Sequence, residues 1–238
     1  PDFVSVPAAT LIGKPYLQQR SSLILKGSMG EAKPGILYDE SQSALPYQSA
    51  ESPELMSTTH LSIADEYGNM VSMTSSIENA FGSRLLVNGF LLNNQLTDFS
   101  FSSTDHEGAL VANRIEPLKR PRSSMSPMII FLQGRPRLLV GSPGGARIID
   151  YISRTIVYHL DKALSIEAAI GSPHIINLNR GLELEAGRIS QSTQKALTAR
   201  GHRLTLRSQS SGIHAIAIIN DRLMGAADPR REGTARGE

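Results

Sequence analysis

The chain has 238 residues and neither cysteine nor tryptophan. The missing cysteine excludes disulfides, thiol catalysis and thiolate metal sites, and leaves the redox compartment open. Its 24 basic and 22 acidic residues give a formal charge of +2, too even to argue for nucleic acid or an anionic membrane surface as partner.

No apolar run approaches the roughly 18 to 20 residues that a membrane span needs. The chain opens Pro1-Asp2-Phe3, without an initiator Met or a signal-peptide pattern. That reads as a fragment of a longer product trimmed at its N-terminus. Neither the bacterial periplasm nor the cytoplasm is singled out.

Ser5 and Pro7 predict a helix start, with Ala8, Leu11 and Ile12 at helical spacing. Gly13-Lys14-Pro15 breaks it from a second piece carrying Leu17, Leu23 and Ile24. From Lys26 to Ser57, glycine, proline, serine and glutamate alternate without periodicity, which reads as a linker. Strand character begins at Thr58. Thr59, Leu61 and Ile63 fall on one face, Thr58, His60 and Ser62 on the other. Residues 65–69 make a hairpin turn with Gly68 or Asn69 suited to positive φ, and Met70 to Ile77 returns as the second strand. A further hairpin is expected over Met128–Leu132 and Arg137–Val140.

The best helical pattern follows Gly141-Ser142-Pro143-Gly144-Gly145, with Ile148, Ile149, Ile152, Ile156, Leu160 and Leu164 as one stripe. Shorter helices are expected over Ser165–Ile170 and from about Ser190 to Arg200, the latter stopped by Gly201. Strands are expected at Leu182–Glu185, Arg203–Arg207, Ala215–Ile219 and Leu223–Ala226. The fold class is α+β, with mostly antiparallel sheets covered by helices.

Four constellations can carry chemistry, and each has a plainer alternative. Thr58-Thr59-His60 is either an ordinary strand or a self-cleavage site. In the second case the Thr58 hydroxyl attacks the carbonyl of Ser57 and releases a new N-terminus. A free α-amine, with a pKa of about 7.7–8.0, can then accept the hydroxyl proton itself. Gly144-Gly145 is either a tight turn or a pair of unencumbered N–H groups for an oxyanion. Ser123-Ser124 is either a polar turn or a carboxylate-binding pair. Residues 93–98, with Gln95 and Asp98, are either a common Asn/Asp loop or a site for an ammonium group. The six histidines show no metal-ligand spacing, so no metal is expected. His159 reads as packed, His60 as ordering the site, and Asp228-Pro229-Arg230-Arg231 as a solvated charged tail.

Together these segments resemble the small subunit of the γ-glutamyltransferases (γ-glutamyltranspeptidases) over Thr58 to about Gly233. The stretches that carry the resemblance are Thr58-Thr59-His60-Leu61-Ser62, Asp65 to Asn69, Phe81-Gly82-Ser83, Leu92-Asn93-Asn94-Gln95 and Asp98-Phe99-Ser100. Lys119-Arg120-Pro121, Ser123 to Pro127, Gly141 to Gly145 and Asp228-Pro229-Arg230 complete it. Any one is weak; their common order is specific.

The resemblance implies an N-terminal-nucleophile hydrolase fold, a four-layer αββα sandwich. It implies that residues 1–57 are the end of a large subunit plus a processing linker, and that 58–238 form the catalytic small subunit. Thr58 would be the nucleophile, with Ser76 in place of a threonine that bonds it. Gly144 and Gly145 would form the oxyanion hole. Ser123 and Ser124 would hold the donor's carboxylate, and Gln95 and Asp98 its amine. Glu78 stands where typical members carry an asparagine that touches the substrate head. The family's carboxylate-binding arginine belongs to the large subunit. The expected activity is autoprocessing γ-glutamyl transfer or hydrolysis on glutathione-like amides, without a cofactor. The alternatives are a glutaryl (cephalosporin) acylase and an unprocessed, non-catalytic binding fragment. The expected partners are a small γ-glutamyl substrate and the large subunit of the same precursor, without which this fragment is expected to be weakly active or inactive.

Overall fold

The computed structural model describes residues 6–35 and 58–237. Ser5, Ser57 and positions 36–57 of the expected linker lie outside those residues. The chain begins with two short helices, α1 (Ala8–Leu11) and α2 (Lys14–Ser21), separated at Gly13 as the sequence predicts. Residues 26–35 form neither helix nor strand, yet they are attached. Ser28 donates its N–H to Arg200 O at 2.7 Å, and Ala32 exchanges two hydrogen bonds with the Asn179 amide.

Strands β1 (Thr58–Ala64) and β2 (Met70–Ser76) pair antiparallel with Thr58 opposite Ser76. The Asp65 carboxylate closes their turn by accepting the N–H groups of Tyr67 and Asn69. A small hairpin, β3 (Leu86–Val87) and β4 (Phe90–Leu91), precedes a 3₁₀ turn at Gln95–Asp98. Next come β5 (Met128–Leu132), β6 (Arg135–Gly141), α3 (Ile148–Ile156) and α4 (Ile166–Gly171). The last elements are β7 (Ile175–Asn177), β8 (Leu182–Glu185), α5 (Gln191–Ala199), β9 (Leu204–Arg207), β10 (His214–Ile219) and β11 (Arg222–Ala227).

The central sheet has the order β11-β10-β6-β5 and is antiparallel throughout. A second sheet, β7-β8-β9, contains the parallel pair β8–β9, joined through α5. Helices α3 and α4 cover one face of the central sheet. Ile148, Tyr151 and Ile152 of α3 and Ile166 and Ile170 of α4 share a core with Leu138, Val140, Ala215 and Ala217. Such apolar burial contributes about 25 cal/mol per Å² removed from water, the main force holding the layers together.

The β1–β2 hairpin lies on the other face, and it is turned polar side in. His60 packs its ring against Gly141, where a Cβ would come within 2.2 Å of it. Ser62 and Ser72 donate to the carbonyls of His214 and Val140. The apolar side of the hairpin, with Ile63, Val71 and Met73, is exposed.

The expected single stripe from Ile148 to Leu164 is corrected. The α-helix gives way at Val157 to a π-helical turn, Val157–Asp161. Ile149 is exposed while Tyr151 and Thr155 are buried. A residue one position after Ile148 is rotated by about 100° and leaves the stripe, whereas positions three, four and seven on stay within it. Thr155 tolerates burial because its hydroxyl donates to Tyr151 O at 2.8 Å. His159 is packed as expected, its Nδ1 2.8 Å from Leu164 O.

Candidate active site

Thr58 begins β1 and Ser76 ends β2, so the hairpin register sets them side by side at the open end of the hairpin. The Thr58 hydroxyl donates to Ser76 Oγ at 3.1 Å. Ser76 Oγ also accepts the N–H of Glu78 at 2.9 Å. Glu78 is buried and has a φ of +69°, a left-handed conformation that a residue with a side chain adopts only when its surroundings hold it. Asn94 holds it: its amide donates to the Glu78 carboxylate, and its Oδ1 accepts the N–H of Asn79 at 2.9 Å.

The cleft beside Thr58 is lined by Ser76, Glu78, Gln95, Asp98, Ser123, Ser124 and Gly145. The sequence-predicted residues therefore converge, apart from Gly144 and the undescribed Ser57. Gln95 donates its amide to the Asp98 carboxylate across one turn of 3₁₀ helix. Glu78 and Asp98 thus put two carboxylates on the wall of the cleft. Ser123 and Ser124 lie in the extended segment before β5; Ser123 Oγ accepts the N–H of Met125 at 3.1 Å.

Gly144 and Gly145 turn the chain from β6 into α3 with φ of +139° and +61°. Only Gly145 reaches the cleft. Gly144 is buried beneath Tyr151, whose ring leaves no room for a Cβ: the nearest ring carbon would be 2.5 Å away. Tyr151 is fixed in turn by donating its hydroxyl to Gln209 at 2.7 Å. Arg147, in the same turn, makes a two-pronged ion pair with Glu183, both bonds 2.8 Å.

His60 follows two residues after Thr58, but its partners belong to the hairpin, and it orders the hairpin rather than the cleft. Its Nδ1 lies 2.8 Å from Thr74 Oγ1 and its Nε2 3.2 Å from Ser62 Oγ. Burial, reinforced by the nearby His214, pushes its pKa down to about 4, so the ring is neutral at pH 7.

The expectation of a solvated tail at Asp228–Arg231 is corrected. Asp228 is only 1% exposed. Arg230 donates to both Glu185 oxygens at 2.7 and 2.8 Å, to Asp228 at 3.0 Å, and to the carbonyls of Ile170 and Ser172. Every guanidinium N–H is satisfied, and that offsets the desolvation that a buried cation otherwise suffers. The same segment places Arg231 so that it donates to Thr58 O at 3.3 Å and to Ser210 O at 2.7 Å. A short run of charges carries no sign of whether its partners lie in solvent or in the core. Glu185, 45 residues before Arg230, is what decides it.

Gamma-glutamyltranspeptidase is the family whose model matches this chain, over residues 1–238. The chain belongs to that family.

The glutathione hydrolase proenzyme of Bacillus subtilis strain 168 is 35% identical over 247 residues, covering 100% of this chain and 41% of its own length. An acylase ACY 1 proenzyme from Pseudomonas sp. strain V22 is 35% identical, covering 98% of this chain and 39% of its own. The chain thus spans about two fifths of the length of these curated relatives. A solved γ-glutamyltranspeptidase chain from Pseudomonas nitroreducens superposes with a TM-score of 0.67 at 33% identity, covering 76% of this chain and 99% of that one. Like those γ-glutamyltranspeptidases, the chain has the N-terminal-nucleophile hydrolase fold. Its described residues supply two β layers and one helical layer.

Three members of the site were not assigned from sequence. Asn94 stands within the amide-rich loop but carried no role. Arg122 lines the cleft directly before the serine pair. Asn113 lies behind both. The positions of Arg122, adjacent to Ser123, and of Asn94, within the Leu92-Asn93-Asn94-Gln95 stretch, offered a signal.

Proposed function

We propose that the chain is the nucleophile-bearing part of an autoprocessing γ-glutamyl transferase or hydrolase, with Thr58 as both cleavage site and catalytic nucleophile. The observation that carries this reading is the Thr58–Ser76 hydroxyl pair, 3.1 Å apart at a cleft that two carboxylates and a pair of adjacent serines also line. In the precursor, Thr58 Oγ attacks the carbonyl carbon of Ser57. The C–N bond breaks to leave an ester and an amine, and water then splits the ester. Residues 1–57 become the end of a large subunit and its linker, and 58–238 the small subunit. The P. nitroreducens chain supports that division, since the 76% it covers is the share that residues 58–238 represent. The exposed apolar side of the β1–β2 hairpin supports a partner subunit over Ile63, Val71 and Met73.

In the mature enzyme the Thr58 α-amine takes the hydroxyl proton, and Oγ attacks the γ-carbonyl of the donor. The oxyanion is received at the Gly144–Gly145 turn by the backbone N–H of Gly145, the glycine that lines the cleft. The departing amine takes the proton, and water or an acceptor amine releases the acyl group from Thr58.

The donor's α-ammonium is held by Glu78, Gln95 and Asp98, and its carboxylate by Ser123 and Ser124. Two carboxylates favour a γ-glutamyl over a glutaryl donor, because a glutaryl group brings no cation to compensate them. The likeness to an acylase makes that comparison the decisive one. Intact mass shows whether the Ser57–Thr58 bond is cut, and Thr58→Ala should leave it whole. Wild-type precursor should release aniline from a γ-glutamyl anilide faster than from a glutaryl anilide. Failure on both substrates would falsify the enzyme reading.

A further inference from the structure

Asn113 ties together two segments that line the cleft, one at Asp98 and one at Arg122. It is 9% exposed, and its carbonyl accepts the N–H of Ser100 at 2.9 Å. Its side chain makes two bonds in opposite directions. Nδ2 donates to the Asp98 carbonyl at 2.6 Å, and Oδ1 accepts the N–H of Arg122 at 2.9 Å. Each partner is a backbone group of fixed sense, so the amide has one orientation that satisfies both.

The two partners belong to the two walls. Asp98 ends the 3₁₀ turn that carries Gln95, on the ammonium side. Arg122 leads directly into Ser123 and Ser124, on the carboxylate side. Between residues 99 and 127 no strand ladder is present; two isolated bridges, Ser100–Arg114 and Thr104–Leu110, are the regular pairing there. The separation of the walls is therefore not set by a sheet, and the Asn113 amide spans it directly.

We propose that Asn113 is a positioning residue that fixes the distance between the ammonium-binding and carboxylate-binding halves of the donor site. This rests on the γ-glutamyl reading above. An α-amino acid head carries its two charges on one carbon, at an invariant separation. A cleft held to that separation binds both charges at once, whereas a cleft free to widen binds one charge at a time and loses affinity for the doubly charged head. Aspartate at this position keeps the acceptor for Arg122 but puts a second acceptor against the Asp98 carbonyl; alanine removes both bonds.

The test compares wild-type precursor with Asn113→Asp and Asn113→Ala on three anilides. The γ-glutamyl anilide has both charged groups, the glutaryl anilide only the carboxylate, and the 4-aminobutyryl anilide only the amine. The expected result is a KM for the γ-glutamyl anilide raised roughly tenfold or more in both variants, with kcat within about threefold of wild type. The preference for the γ-glutamyl anilide over the two single-headed anilides should shrink by a similar factor. Cleavage at Thr58 should proceed at the wild-type rate, since neither Thr58 nor Ser76 bonds Asn113. An unchanged KM, or a fall in kcat with the preference intact, overturns the proposal. If Asn113→Ala does not fold, Asn113→Asp decides by the same readouts; if neither folds, the residue is structural and the proposal is overturned. Wild-type protein inactive on all three anilides would instead sink the γ-glutamyl reading, and the clamp with it.

Discussion

Thr58 and Ser76 are cross-strand neighbours whose hydroxyls meet at 3.1 Å, and Ser76 is in turn held by the N–H of Glu78. The hydroxyl of Thr58 is therefore oriented by a partner that the hairpin register supplies, not by a histidine. Ser76→Ala should slow both self-cleavage and anilide turnover by roughly ten- to a hundredfold, the range expected when one orienting hydrogen bond is lost at a reacting group. Ser76→Thr keeps the hydroxyl and should restore most of both rates. Intact mass against time and steady-state kinetics measure the two, and wild-type rates in Ser76→Ala would remove Ser76 from the site.

Gly144 is constrained twice, by a φ of +139° and by the Tyr151 ring 2.5 Å from where a Cβ would stand. Gly144→Ala should lower stability by about 1–3 kcal/mol and reduce kcat more than it raises KM, because the turn's N–H groups are displaced. Adding Tyr151→Leu makes room for the new Cβ but leaves the backbone strain. Gly144→Ala should thus cost less melting temperature in a Tyr151→Leu background than in wild type, and an equal cost in both would mean that the ring is not the obstacle.

The β1–β2 hairpin, the β5–β6 hairpin, α5 and most of the cleft were legible because they are local or belong to ordered motifs. Alternation announced β1, and Gly201 announced the end of α5. What was illegible depends on contacts distant in sequence. Nothing near His60 says that the polar side of β1 faces inward; that follows from Gly141, about eighty residues on, leaving space for an imidazole. Nothing near Arg230 announces Glu185. The Ile148 stripe fails at Ile149 because residue type alone does not separate it from Ile148, whereas the sheet beneath them does; it fails again at Leu160 and Leu164, which lie beyond the α-helix and are exposed.

The Arg230 network makes a stability prediction. Replacing Arg230 by Met leaves Glu185 and Asp228 buried without their cation, a loss of about 3–5 kcal/mol. Burial by itself would raise the Glu185 pKa, but hydrogen bonds from Arg230 and from the His174 N–H hold it below the usual carboxylate range. Without Arg230 that balance reverses, so the deficit of Arg230→Met should narrow on acidification, as protonated carboxyls become acceptable in the core. Urea denaturation of both proteins at pH 7 and pH 4.5 checks this, and a deficit independent of pH would argue against the pairing.

Acid should destabilise the wild-type protein before its carboxylates titrate. His60 and His174 both have pKa values lowered from 6.5 to about 4, in each case first by burial, then by a neighbouring basic group: His214 for the former and Arg230 for the latter. Between those values the unfolded chain binds protons that the folded chain refuses. Stability must therefore fall as pH drops from about 6.5 to about 4, and the histidine contribution levels off below that. Glu185, with its lowered folded pKa, adds a further loss below about 4.5 as the unfolded carboxyl protonates. His174→Gln removes one titrating group and sets an amide near the place of Nε2, facing Ser211, whose oxygen lies 2.7 Å from the native Nε2. Its melting temperature should fall less steeply than that of wild type between pH 6.5 and pH 4.5. Parallel slopes for the two proteins would show that His174 accepts a proton in the folded state as readily as in the unfolded one.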